Sequence, residues 1–245
     1  MISFEPGETI TEDAIANYVN VFSNMYPVSG IEKAEVLKAL HSRLAIRMDR
    51  GSFVKEKDHI AWYYSAKKDL KTNFWERYVS YLKTDIGFSN EVVNVLDAST
   101  DAMMDLLGNP APDINFQRRG LVIGDVQSGK TATYTALINK AADAGYRIII
   151  VLTGTIEKLR KQTQSRLDEG FIGLNSTAFI NDRNNVLVGV GNIDPSISGW
   201  AVTSTTSDFK KSIAENLSGR LATIEVPVLF VLKKNKSVLV KLEQW

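Results

Sequence analysis

The sequence contains no cysteine, which excludes disulfides, cysteine-ligated zinc, iron–sulfur clusters and thiol nucleophiles. Only 6 of its 245 residues are proline, too few for a proline-rich or collagen-like chain. No apolar run approaches the ~20 residues that a membrane span requires. The start, Met1-Ile2-Ser3-Phe4-Glu5-Pro6, lacks the basic-then-apolar order of a secretory signal. A soluble, cytoplasmic protein without a membrane partner is the expectation. Charge of one sign is missing as well. The 29 basic and 28 acidic side chains leave a formal net charge of +1, so any nucleic-acid binding must come from a local basic surface. His41 and His59 stand apart without metal-ligand spacing, and neither receives a role.

What is there is an ordinary globular composition, 44% hydrophobic and 23% charged. Its length suits one large domain or two modest ones. From Thr9 to about Leu107 the apolar residues recur at helical spacing. Ile15, Tyr18, Phe22 and Met25 form one stripe, with Thr9 and Glu12 as a capping box; Leu37, Leu40, Leu44 and Met48 form a second. Phe74, Tyr78, Tyr81 and Leu82 mark a third helix, and Val92, Val93, Leu96, Met103, Leu106 and Leu107 a final pair. Such stripes normally face a core rather than a partner.

Gly108-Asn109-Pro110-Ala111-Pro112-Asp113 interrupts this pattern and divides a helical region, residues 1–112, from a second domain, residues 113–245. There Gly120-Leu121-Val122-Ile123 reads as a strand, Lys130 to Ala144 as a helix, and Arg147 to Leu152 as a strand covered on both faces. Val186 to Val190, Ala201 to Thr203 and Val226 to Leu232 are further strand candidates. The expected fold class is α/β: a helical N-terminal region followed by a mainly parallel sheet flanked by helices, of the P-loop NTPase (RecA-like) type.

Between the first strand and its helix, Gly124-Asp125-Val126-Gln127-Ser128-Gly129-Lys130-Thr131 satisfies G-x-x-x-x-G-K-[ST] at every fixed position. Chance supplies such a match in a chain of this length on the order of one time in a hundred. The two glycines allow backbone angles and a close approach that a Cβ would block. Consecutive N–H groups then turn inward at a helix N-terminus and make a concave anion site. Lys130 would lie between the β- and γ-phosphates of ATP, and the Thr131 hydroxyl would hold Mg²⁺. A Gly-rich turn without a ligand is the bland alternative.

Beyond the second strand, Thr153-Gly154-Thr155-Ile156-Glu157-Lys158-Leu159-Arg160-Lys161 runs from small residues into a basic helix start. Thr155 can cap that helix, and Thr153, Gly154, Thr155, Lys158 and Arg160, with Lys161 and Arg166 further on, are candidates to meet a nucleic-acid backbone. A solvated basic face fits the same residues. Gln117-Arg118-Arg119, placed for an adenine contact, and Lys233-Lys234-Asn235-Lys236, placed for phosphates, admit the same two readings.

Arg119-Gly120-Leu121-Val122, Val126 to Thr131, Ala141 to Arg147, Leu159 to Gly173 and Val231 to Lys236 together resemble the Z-one domain family. Phe74-Trp75-Glu76-Arg77-Tyr78, Thr100-Asp101 and Asn109-Pro110 extend the similarity upstream. The resemblance implies an ATPase core of the helicase superfamily-two type, in a family often labelled endonuclease and associated with bacterial restriction or phage defence, with DNA and defence-system proteins as partners. One departure matters. Helicase-type hydrolysis needs an acidic pair after a later apolar strand. Asp194 stands alone after Val186 to Gly191, and Val226 to Leu232 runs into lysines. The expectation is therefore a first motor lobe, truncated at its C-terminal end, that binds ATP and hydrolyses it negligibly. Two other classes use the same loop. A small-molecule or nucleotide kinase needs a lid with arginines, for which Arg183 and Arg220 are the available residues; a nucleotide-gated, non-catalytic interaction module needs no acidic pair.

Overall fold

The computed structural model describes residues 12–25, 33, 53–55, 59–111, 116–123, 129–177, 186–209 and 225–244. The chain forms two compact units: Met1–Asp69 with Val79–Asn109 and Ile114–Leu137, and Leu70–Tyr78 with Pro110–Asp113 and Ile138–Trp245. Helices α3 (Asn73–Thr84) and α5 (Lys130–Asp143) contribute residues to both. No helix among the described residues is long and apolar enough to cross a membrane.

The first unit is helical. It holds α1 (Glu12–Met25), the short α2 (Tyr63–Ala66) and α4 (Asn90–Leu106). In α1 the buried residue is Val19, whereas Tyr18 and Phe22 of the expected stripe are exposed. Thr9 and the stripe from Leu37 to Met48 lie outside the described residues. The expected pair of helices after Phe88 is a single one, because no Gly or Pro interrupts residues 90–106. Ser89 caps it, its Oγ accepting from the Val92 N–H at 3.3 Å. Val92, Val93, Leu96 and Met104 are buried along α4, and Asp105 turns its carboxylate to the start of α2. There it accepts from the Trp62 and Tyr63 N–H groups at 2.9 Å and pairs with His59 Nε2 at 3.1 Å. His59, silent in the sequence, thus fastens the chain entering α2. Those bonds hold the Asp105 carboxyl below its usual range against the opposing effect of burial.

The second unit is built on a parallel, three-stranded sheet of order β1-β3-β2: β1 Ile148–Thr153, β2 Trp200–Ala201 and β3 Val228–Lys233. Mixed α/β architecture with a parallel sheet flanked by helices is as expected. Burial on both faces belongs to β3, where Val228 to Leu232 are all buried. β1 has a similar composition, which predicts the same cover, but Ile148, Ile150 and Leu152 are 43, 41 and 46% exposed. Register explains the contrast. These residues pair with Val228, Phe230 and Leu232, and so share their face. Phe209, Val202 and Val238 of α8 (Lys236–Glu243) cover that face over central β3 and leave edge strand β1 bare within this unit.

Behind the sheet, α6 (Glu157–Leu167) passes into a π-helical turn, Asp168–Ile172, closed by Gly173 at φ +82°. The expected strand from Val186 is replaced by one bridge, Leu187 to Leu174, followed by the single-turn α7 (Val190–Ile193). Gly189 at φ +48° breaks the extended path, and a Cβ on Gly191 would overlap the Gly173 carbonyl. Buried Arg77 of α3 ties this region together, donating to the carbonyls of Phe171, Asp194 and Ile197. Burial lowers its pKa to about 10. Asp143 caps the start of α3, accepting from the Phe74 and Trp75 N–H groups at 2.9 and 2.8 Å.

Candidate functional site

Five of the eight phosphate-loop residues, Gly124, Asp125, Val126, Gln127 and Ser128, lie outside the described residues. The loop's exit is described. Gly129 has φ +72°, left-handed backbone that a side chain disfavours, and its carbonyl accepts from the Thr133 N–H at 3.0 Å. Helix α5 starts at Lys130, which is exposed, and Thr131 is half-buried behind it. A sharp bend therefore opens directly onto a helix N-terminus, whose first amides have no acceptor within the helix itself. The approach from the other side differs from expectation. Gly120 to Ile123 form no strand, and Leu121, Val122 and Ile123 are 84, 60 and 87% exposed. Their apolar, branched side chains favour extended backbone, but a strand exists only with a ladder partner, and none occurs among the described residues. Gln117, Arg118 and Arg119 are exposed in the same irregular stretch.

The second candidate segment follows β1 in the second unit. Thr153 ends the strand, its Oγ donating to the Leu232 carbonyl at 3.1 Å, and Gly154 and Thr155 are exposed. Ile156, not Thr155, occupies the N-cap of α6 and makes no side-chain cap bond. Lys158, Lys161 and Arg166 are exposed and form a basic face on the helix, with the neutral Gln162 among them. Arg160 does the opposite. It is wholly buried, with Nη2 and Nε 2.7 and 3.0 Å from Glu157 Oε1 and Nη1 2.8 Å from the Ser204 carbonyl. Its guanidinium thus fastens the turn after β2 to the start of α6. A buried guanidinium requires such partners, because desolvating it unpaired is too costly.

Two further side chains complete this cluster. Lys233, at the end of β3, brings Nζ to 2.9 Å from Glu157 Oε2 and 3.4 Å from Asp208 Oδ2. Asp208 is also 3.9 Å from Arg160 Nε. The Arg160 guanidinium, hydrogen-bonded to Oε1, pulls the Glu157 pKa down to about 2 with help from the Lys233 ammonium, and Glu157 in turn raises the pKa of Lys233. Although Lys233 lies within ion-pair distance, Glu157 Oε2 and Asp208 Oδ2 make no directional hydrogen bond. The attraction is coulombic and loosely aligned. Glu157 and Arg160 are an i,i+3 pair on α6, which the sequence reading missed; Asp208 and Lys233 are brought there only by the fold.

Beneath α6 runs a buried polar chain. The Val231 N–H donates to Thr203 Oγ1 at 2.9 Å, which donates to Gln164 Oε1 at 2.7 Å. Gln164 Nε2 donates to Asp168 Oδ1 at 2.9 Å, and Asp168 Oδ2 accepts from Ser176 Oγ at 2.6 Å and its N–H at 3.1 Å. Burial outweighs these bonds and pushes the Asp168 pKa up to about 6. Ser176 also lines a small cleft of about 180 Å³ with Ile172, Leu174 and Trp200. Asp194, the lone acid expected near a strand end, sits on the surface and accepts from Ser196, which lowers its pKa. Arg183 and Arg220 lie outside the described residues. Among the described residues no group of three or more His, Asp or Glu is placed to hold a metal ion. No family model, curated protein or solved structure matches this chain.

Proposed function

We propose that this chain is the ATP-binding first lobe of a helicase-like, DNA-acting ATPase of the restriction or phage-defence kind, working in the cytoplasm with Mg²⁺. The observation that carries the reading is the complete phosphate-loop signature from Gly124 to Thr131, with Gly129 in left-handed backbone and a 14-residue helix beginning at Lys130. These features fit a triphosphate. Backbone amides at a helix start favour an anion, Lys130 supplies a positive charge, and the Thr131 hydroxyl is the right hard oxygen donor for Mg²⁺. The metal, when bound, neutralises charge on the β- and γ-phosphates. The exposed basic face of Lys158, Lys161 and Arg166 supports a nucleic-acid backbone contact, together with Thr153, Gly154 and Thr155. In this reading Arg160 holds the turn in place from inside rather than touching phosphate. The resemblance to the Z-one domain family supports both halves.

A nucleotide-gated, non-catalytic module is the second reading, favoured by one observation: β3 ends at Lys233 and is followed by Lys234, where a hydrolytic strand would end in acids. Both readings require the phosphate loop. Lys130→Ala should weaken binding of a fluorescent ATP analogue by roughly a hundredfold, the scale of deleting one well-placed charge partner. Unchanged affinity would overturn the nucleotide assignment. Stimulation of ATP turnover by DNA separates the motor from the module.

A further inference from the structure

We infer that Lys233 is an additional phosphate-contact residue held in check by Glu157 and Asp208, so that this end of the sheet carries an ionic latch that a nucleic-acid backbone must open. The inference rests on the nucleic-acid reading above and adds its regulation. Lys233 lies at the carboxyl end of β3, the side of a parallel sheet where ligands collect. It belongs to the same cluster as the turn after β1, because Glu157 reaches both Arg160 and Lys233.

Two properties make the cluster a latch rather than a fixed structural knot. Every guanidinium nitrogen of Arg160 has a partner and the residue is wholly buried, whereas the Lys233 side chain is 24% exposed and meets its two carboxylates without hydrogen-bond geometry. An ammonium on a flexible stem can exchange a carboxylate for a phosphate at small cost, which a locked guanidinium cannot. The two carboxylates are also unequal. Glu157 is committed to Arg160 through Oε1, so its loss endangers the fold; Asp208 makes no directional bond through Oδ2 and lies 3.4 Å from Lys233. Asp208 is therefore the part of the latch that can be removed alone.

The test compares wild-type chain, Asp208→Asn, Lys233→Met and the double variant for binding to a fluorescent single-stranded DNA oligonucleotide across a salt series, with thermal melts to confirm folding. Asp208→Asn should bind about fivefold tighter at low salt, the scale of one partly exposed ion pair. It should also steepen the salt dependence by about one released counterion. Lys233→Met should abolish that gain in the double variant. Equal affinity of wild type and Asp208→Asn, while both bind, overturns the latch and leaves the nucleic-acid reading standing. A gain that persists without Lys233 also overturns it, since generic charge removal then explains the effect. Absence of binding by every variant sinks the nucleic-acid reading and the latch with it.

Discussion

Replacing Asp168 by Asn should flatten the pH dependence of stability between about pH 4 and pH 7. Asp168 is buried at 4% exposure beneath α6, and its folded pKa lies near 6 against an ordinary value of 3.8. The folded state therefore holds its proton more tightly than the unfolded chain does. Stability from this group is complete below the unfolded value and is lost as pH rises through the folded one. About two pKa units correspond to ~3 kcal/mol, a figure already net of the bonds from Ser176 and Gln164 that the charged carboxylate keeps. The same-sized amide cannot ionise, so this loss disappears. Its NH₂ must face a donor, either Ser176 or Gln164, and an unmade buried bond costs ~1–3 kcal/mol at every pH. Denaturant unfolding of both proteins at pH 5 and pH 7.5 isolates the effect. Relative to wild type, the variant should gain about 1 kcal/mol of stability between pH 5 and pH 7.5. An identical difference at the two pH values would refute the reasoning, because the Asp168 carboxylate would then titrate normally.

Asp143 faces the same balance at the start of α3, with burial raising its pKa to about 6. Asp143→Ala removes the cap on Phe74 and Trp75 and should cost ~1–2 kcal/mol near neutrality and more at pH 5, where the protonated wild-type side chain is most favourable; a loss that shrinks on acidification would contradict this. Gly191→Ala drives a methyl into the Gly173 carbonyl and should lower stability by about 3 kcal/mol in a denaturant titration. An unperturbed midpoint would show that α7 can move aside freely.

Sequence patterning carried the long, strongly periodic elements. The α3 stripe of Phe74, Tyr78, Tyr81 and Leu82, helix α5 and the β-branched run of β1 were all legible, because helix period and β-branching are local properties. Gly120 to Ile123 has strand propensity but forms no strand, since propensity says nothing of whether a neighbouring strand is available. Val186 to Val190 departs from a strand for a different reason: Gly189 and Gly191 are placed for close packing, which reads in sequence only as flexibility. Arg160 looked like a surface cation because its segment is basic; the turn after β2, 44 residues further along the chain, buries it.

The order of residues alone determined that the chain has two textures and carries a phosphate-loop signature, because both are written within a few consecutive side chains. Folding in three dimensions decided which strand is sheathed on both faces, which arginine is silenced, and that Glu157, Asp208 and Lys233 meet. Those outcomes depend on which distant strands become neighbours, and a parallel sheet joins its neighbours only through long crossovers, so no local window of sequence contains them.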